Sequence, residues 1–229
     1  MYETIIPLNW LEKEIVAYEQ EPIEKGKILF YGHSLFTRWG SPSWGYRRLD
    51  EDIRMKDGSL ACVNHGFGTS TSEELLYYYH RMVKPWEPRA LVIATYANDG
   101  MYGYSPEDVM INIAKLCHWA KTDFPEIRIF LLEDHPRPNG KGFNLREIWN
   151  NGRIRREKYH ALLRQFAETH ENITMVELWN RPEFFETPED VGDYKKVRED
   201  IFVADKVHPN QEGYEIFRDI FLEVLDDLL

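Results

Sequence analysis

Apolar positions along the chain fall into two alternating kinds of segment. Short runs that are apolar almost throughout, Ile28–Tyr31, Ala61–Asn64, Ala90–Thr95, Ile127–Leu132 and Thr174–Leu178, have the length and composition of strands covered on both faces. Between and around them lie longer segments with helical periodicity. The first runs from Asn9 to about Glu19 and opens on a sequence resembling a capping box, Asn9-Trp10-Leu11-Glu12. The others are Ser72–Val83, ending before Pro85; Ser105–Thr122, with Pro106 in its first turn; Ile154–Thr169; and Asn210–Leu228. Strand alternating with helix predicts an α/β fold with a parallel sheet covered by helices on both faces. No repeat and no low-complexity linker interrupts the pattern, so residues 1–229 read as one domain.

Two segments break the alternation. His135–Asn144, rich in Pro and Gly, follows the fourth strand, and the acidic stretch Asn180–Ala204 follows the fifth. Long connections in a compact domain tend to be functional or mobile. Both are expected to leave the carboxyl edge of the sheet, where open α/β folds bind ligands.

Composition narrows the partners. A formal net charge of −11 repels nucleic acid and anionic membranes and favours a neutral or weakly charged small molecule. No apolar run approaches the roughly 20 residues of a membrane-spanning helix, so no membrane insertion is expected. The opening Met1-Tyr2-Glu3-Thr4-Ile5-Ile6-Pro7 lacks the basic, apolar and small-residue parts of a signal peptide, which sets a cytoplasmic expectation. Cys62 and Cys117 read as buried thiols, and no cysteine pair has zinc-ligand spacing.

Candidate chemistry lies at the strand ends. The first strand runs into Gly32-His33-Ser34-Leu35, a strand-to-helix turn that can expose a serine hydroxyl; a helix-capping turn serine has the same look. Near the other end, Asp205-Lys206-Val207-His208 sets a carboxylate three residues before a histidine. Serine needs a base to become a nucleophile, and the base needs a carboxylate to fix its tautomer. A plain loop ion pair is the simpler reading of those two residues alone. Asn98, after the third strand, can aim an amide N–H at a developing oxyanion, or end the strand as an Asx turn. After the second strand, Asn64-His65-Gly66-Phe67-Gly68-Thr69 can offer backbone N–H groups to a ligand.

Taken in this order, the four segments resemble the blocks of the SGNH hydrolases, particularly the GDSL-like lipases and acylhydrolases. The closing Asp205-x-x-His208-Pro209-Asn210-x-x-Gly213-Tyr214 is the most specific match, and the similarity covers nearly the whole chain. The resemblance implies a three-layer α/β/α sandwich, flavodoxin-like, with a five-stranded parallel sheet. It implies ester hydrolysis without metal or other cofactor. Ser34 would be nucleophile, His208 base and acid, and Asp205 its orienting carboxylate, with oxyanion donors from the Ser34 backbone, Asn98 and either Gly68 or Thr69. Three positions depart from the family pattern: His33 stands beside the nucleophile in place of a small or acidic residue, Thr69 falls on the oxyanion glycine, and Tyr96 replaces the glycine opening the third block. His33, His65, Tyr96 and His135 are expected to line the substrate pocket.

Short acyl esters, acetyl foremost and carbohydrate-borne, are the expected substrates. The same residues suit a lysophospholipase or thioesterase, and the three departures leave room for a non-catalytic binding module on this fold. A metal site would need three or four of His33, His65, Asp99, His135, Asp205 and His208 at ligand distances. Trp44, Tyr46, Tyr102 and Trp149 are candidate rim aromatics for a sugar, or, in the case of Trp44, for a subunit contact; homo-oligomerisation stays open.

Overall fold

The computed structural model describes residues 7–40, 45–138 and 146–229, with side chains in the last stretch from residue 155 onward. Five parallel strands, β1 (Ile28–Gly32), β2 (Cys62–Gly66), β3 (Ala90–Ala94), β4 (Arg128–Leu132) and β5 (Ile173–Val176), form one sheet in the order β2-β1-β3-β4-β5. The major helices are α1 (Glu12–Tyr18), α2 (Ser34–Arg38), α3 (Leu49–Asp52), α4 (Ser72–Met82), α5 (Ala97–Tyr102), α6 (Pro106–Asp123), α7 (Arg146–Glu168) and α8 (Gln211–Val224).

Every residue of β1 and β3 is buried, as uniformly apolar strands between two helical layers must be. Successive strand side chains point to opposite faces, and the cores divide accordingly. Ile28, Phe30, Ala90 and Val92 join Leu35, Phe36, Trp39, Phe217 and Phe221 under α2 and α8. Leu29, Tyr31, Leu91 and Ile93 join Ile15, Leu75, Tyr78, Val109, Ile113 and Leu163 under α1, α4, α6 and α7. The sandwich expected from the resemblance is the one observed.

Helix starts follow local chemistry. Ser105 caps α6, its Oγ accepting from the Asp108 N–H at 3.1 Å, with Pro106 at the first helical position where no N–H is needed. The N-terminal expectation needs correction. Asn9 caps nothing: a turn at Pro7–Trp10 precedes α1, whose N-cap position is Leu11 without a side-chain cap. Both cysteines are buried free thiols, as expected. Glu223, Asp226 and Asp227 are solvent-exposed and make surface ion pairs with Arg181, Lys56 and Arg128.

The register sets up the functional edge. Gly32 of β1 lies beside Gly66 of β2 and Ala94 of β3, so the segments after these strands leave the sheet at one level. The chain steps from β1 to β2 on one side and then to β3 on the other, which makes this the topological switch point.

The connection after β5 is built rather than loose. Phe184, Phe185, Val197, Ile201 and Phe202 are buried, and Glu186 and Arg198 donate their N–H groups to the carbonyls of Lys196 and Phe184 at 2.8 and 3.0 Å. It delivers Asp205 and His208 to the sheet edge ahead of α8.

Candidate active site

Ser34 is the first residue of α2, and its Oγ lies 2.9 Å from His208 Nε2. On the far side of the ring, Nδ1 is 2.8 Å from Asp205 Oδ2. An ionised carboxylate only accepts, so Nδ1 carries the proton and Nε2 presents its lone pair to Ser34. Asp205 is fixed by its own turn, Oδ1 accepting from the N–H groups of Val207 and His208 at 2.9 Å each. Burial works to raise the Asp205 pKa, but these backbone bonds and the His208 side chain outweigh it and bring it to about 2. His208 lies below the ordinary imidazole range, chiefly through burial, with the nearby Arg38 and Arg137 charges adding to this against the pull of Asp205. A neutral imidazole bonded to a serine hydroxyl is equipped to remove its proton.

The closing motif holds this geometry. Asn210 caps α8 by accepting from the Gly213 N–H at 3.0 Å. A Cβ at Gly213 would meet the Ile201 carbonyl oxygen at 2.4 Å, so only glycine allows the preceding connection to pass so close. Tyr214 is fully buried and donates to the Leu35 carbonyl at 2.9 Å, tying α8 to the helix that carries Ser34.

The expected oxyanion donors follow the ends of β1, β2 and β3, which leave the sheet at one level. Ser34 opens its helix, and among the described residues its N–H meets no acceptor; nor does that of Thr69. The Gly68 N–H is instead bound to Glu14 Oε2 at 3.0 Å. Thr69 has φ of +60° and Tyr96 of +82°, so both family glycine positions keep a glycine-like backbone under bulkier side chains. Asn98 Nδ2 donates one hydrogen to the Ser70 carbonyl at 2.9 Å, and a primary amide carries two. Asp99 is wholly buried and joins the two loops. Its Oδ1 accepts from Ser72 N–H and Oγ–H at 2.9 and 2.6 Å, and its Oδ2 accepts from Thr95 Oγ–H and Tyr96 N–H at 2.9 and 3.0 Å.

The four expected pocket residues divide. Buried His33 accepts from the Leu35 N–H at Nδ1, 3.2 Å away, doing the capping work of an acidic residue. Its pKa is held down to about 3 mainly by burial, so it stays neutral. The Tyr96 ring stacks on Tyr159 with centroids 4.1 Å apart and planes 5° apart. His135 stands behind the catalytic turn: Nε2 is 3.0 Å from the Val207 carbonyl, and the ring lies between Phe202 and Phe217. His65 is away from the pocket expected of it. It packs against Trp86 and Tyr18, with Nδ1 2.7 Å from the Met82 carbonyl, because its β2 position turns it into the α1/α4 layer.

Among the described residues no group of three or more His, Cys, Asp or Glu side chains is arranged to hold a metal ion. Of the rim aromatics, Tyr46 packs on Tyr214 and Tyr102 against the α4/α6 core, while Trp44 and the Trp149 side chain, like residues 139–144 of the loop after β4, lie outside the described residues. No described helix is long and apolar enough to cross a membrane. Sequence reasoning passed over Arg38, whose Nη1 is 3.2 Å from Asp205 Oδ2; Glu14, which accepts from the Gly68 N–H; and Asp134, bound by Arg137 and, at 2.8 Å, by Arg156.

A parallel sheet carrying a serine, a histidine and a carboxylate in hydrogen-bonded sequence at its switch point defines a hydrolase of the SGNH type. The GDSL-like lipase/acylhydrolase family profile matches residues 30–216, and the chain belongs to that family of ester-bond hydrolases. The fold is similar to a GDSL-like lipase from Bacteroides thetaiotaomicron VPI-5482, with TM-score 0.72, 19% identity, and coverage of 97% of this chain and 100% of that one. An acetyl-xylooligosaccharide esterase variant from Geobacillus Stearmophilus gives 0.63, 19%, 89% and 95% in the same measures. TesA gives 0.64, 21%, 89% and 99%. Among curated proteins no match was found.

Proposed function

We propose that this protein is a serine esterase that removes short acyl groups, acetyl foremost, from small and carbohydrate-like alcohols through an acyl-enzyme. The observation that carries the reading is the pair of contacts Ser34–His208 and His208–Asp205 at 2.9 and 2.8 Å. Ser34 Oγ attacks the ester carbonyl as its proton passes to His208 Nε2. The tetrahedral oxyanion is received by the N–H groups of Ser34 and Thr69 and the second amide hydrogen of Asn98. Thr69 is preferred over Gly68 because Glu14 engages the Gly68 N–H. His208 then protonates the departing alkoxide, and water repeats the sequence on the acyl-enzyme, releasing the acid and restoring Ser34. Asp205 stays ionised throughout and stabilises the imidazolium.

A short acyl group is favoured by the bulk of Tyr96, two residues before Asn98, whose ring is held by its stack on Tyr159. A carbohydrate alcohol is suggested by the similarity to the acetyl-xylooligosaccharide esterase. The cytoplasmic setting remains part of the proposal. Turnover of acetyl, butyryl and octanoyl nitrophenyl esters and of acetylated xylosides tests the reading. Acetyl esters should be preferred, and Asn98→Ala should lower kcat on the order of 10²-fold. Folded protein without turnover of any of these esters would mark it as a binding module.

A further inference from the structure

Arg38 lies one helical turn beyond Ser34 on α2, and its guanidinium reaches the turn that carries the base. Its Nη1 is 3.2 Å from Asp205 Oδ2, the same oxygen that holds His208 Nδ1. Both side chains are sheltered, at 21% and 36% exposure, so solvent screens the contact only in part. A cation here does two things that a neutral side chain cannot. It ties the nucleophile's helix to the histidine turn, 167 residues away in sequence. It also sets a positive charge against any proton that His208 would bind.

We propose that Arg38 is a positioning residue of this site, which holds Asp205 toward His208 and keeps His208 unprotonated into mildly acidic solution. The proposal rests on the reading of His208 as the base of Ser34. The charged and titratable groups around His208 come from several elements. Asp205, on its own turn, attracts the imidazolium; Arg38 from α2 and Arg137 from the loop after β4 repel it. His33, beside Ser34, is neutral through burial. Tyr46, ahead of α3 and in the field of Arg38 and Asp205, has a raised pKa, first through burial. Arg137 is paired with Asp134, which offsets much of its field, whereas Arg38 contacts the orienting carboxylate itself.

The test is the acid limb of kcat/KM against pH for wild type, R38Q, R38M and R38K on one neutral nitrophenyl ester, each variant checked by thermal melting. R38M preserves the aliphatic stem, should R38Q fold poorly. In the neutral variants the limb moves to higher pH, so activity relative to wild type falls at least about threefold further at pH 5.5 than at pH 8. R38K, which restores charge without the planar fork, returns the limb toward wild type. KM changes by less than about twofold, since Arg38 acts through Asp205. Parallel pH profiles for wild type and a folded neutral variant overturn the proposal, as does a limb that R38K leaves displaced. Failure of a serine-directed fluorophosphonate to label Ser34 in wild type would instead remove the reading beneath it, so the two failures are distinguishable.

Discussion

At the scale of single residues, the site keeps the family's backbone while changing its side chains. Thr69 and Tyr96 hold positive φ where glycine would be free of strain, and such a conformation costs a β-branched or bulky residue on the order of 1–3 kcal/mol. Tyr96 is held there by its N–H bond to Asp99 and its stack on Tyr159. Thr69 has less support, with an exposed side chain bonded, among the described residues, only to the Gly68 carbonyl. Thr69→Gly should therefore be neutral to stabilising by up to about 1 kcal/mol in urea unfolding, strain relief outweighing the chain entropy of glycine. Because the N–H remains, kcat should stay within about threefold. A large loss of kcat would mean that the Thr69 side chain itself meets the substrate. Ser34, Asn98, Asp205 and His208, the residues proposed to carry the chemistry, were legible as candidates because each lies in a recognisable local motif, Ser34 and Asn98 just after strands and Asp205 and His208 just ahead of α8. Arg38 was not, because no local pattern couples a helix arginine to a carboxylate 167 positions away.

At the scale of elements, α2 is placed by what it rests on. A Cβ at Gly66 would meet Thr37 N at 2.4 Å and Phe36 Cβ at 2.6 Å, so the helix bearing Ser34 sits directly on the end of β2. Gly66→Ala should push α2 away, costing about 1–3 kcal/mol in thermal or urea unfolding. The same shift should lower kcat more than it raises KM, because it lengthens the Ser34–His208 contact; unchanged kcat in the folded variant would show that α2 tolerates the displacement. The strands and long helices were readable from periodicity because a buried strand and an amphipathic helix each repeat several times. The short helices α2 and α5 give too few turns for a period to show. At α1, a capping pattern at Asn9 was present without its geometry, since Pro7–Trp10 forms its own turn.

At the scale of the whole molecule, folding traps histidines in neutral form. His33, His65, His135 and His160 are buried, and burial foremost lowers the pKa of each, His33 to about 3 and His65 and His160 to about 4. The unfolded chain binds these protons near pH 6.5 and the native state does not, so the stability they contribute is complete above that pH and is lost as pH falls below it. Glu74 has the opposite sign: burial pushes it up to about 7, and it protonates in the fold first. The His33 share is isolated by His33→Asn, which can still cap α2 without titrating. Between pH 7 and 5 the wild type should lose about 2 kcal/mol relative to that variant in urea unfolding. Equal losses would mean that His33 protonates freely in the native protein. The connection after β5 was expected to be functional or mobile, and burial of five of its apolar residues packs it on the core ahead of Asp205 and His208.

The central claim is that Ser34 is the nucleophile activated by His208. Intact-mass and peptide mapping after treatment with a serine-directed fluorophosphonate tests it most directly. One adduct on Ser34 is predicted in wild type, none in folded Ser34→Ala, and strongly slowed labelling in His208→Ala. An adduct that persists in Ser34→Ala, or ester turnover by that variant at the wild-type rate, would contradict the assignment.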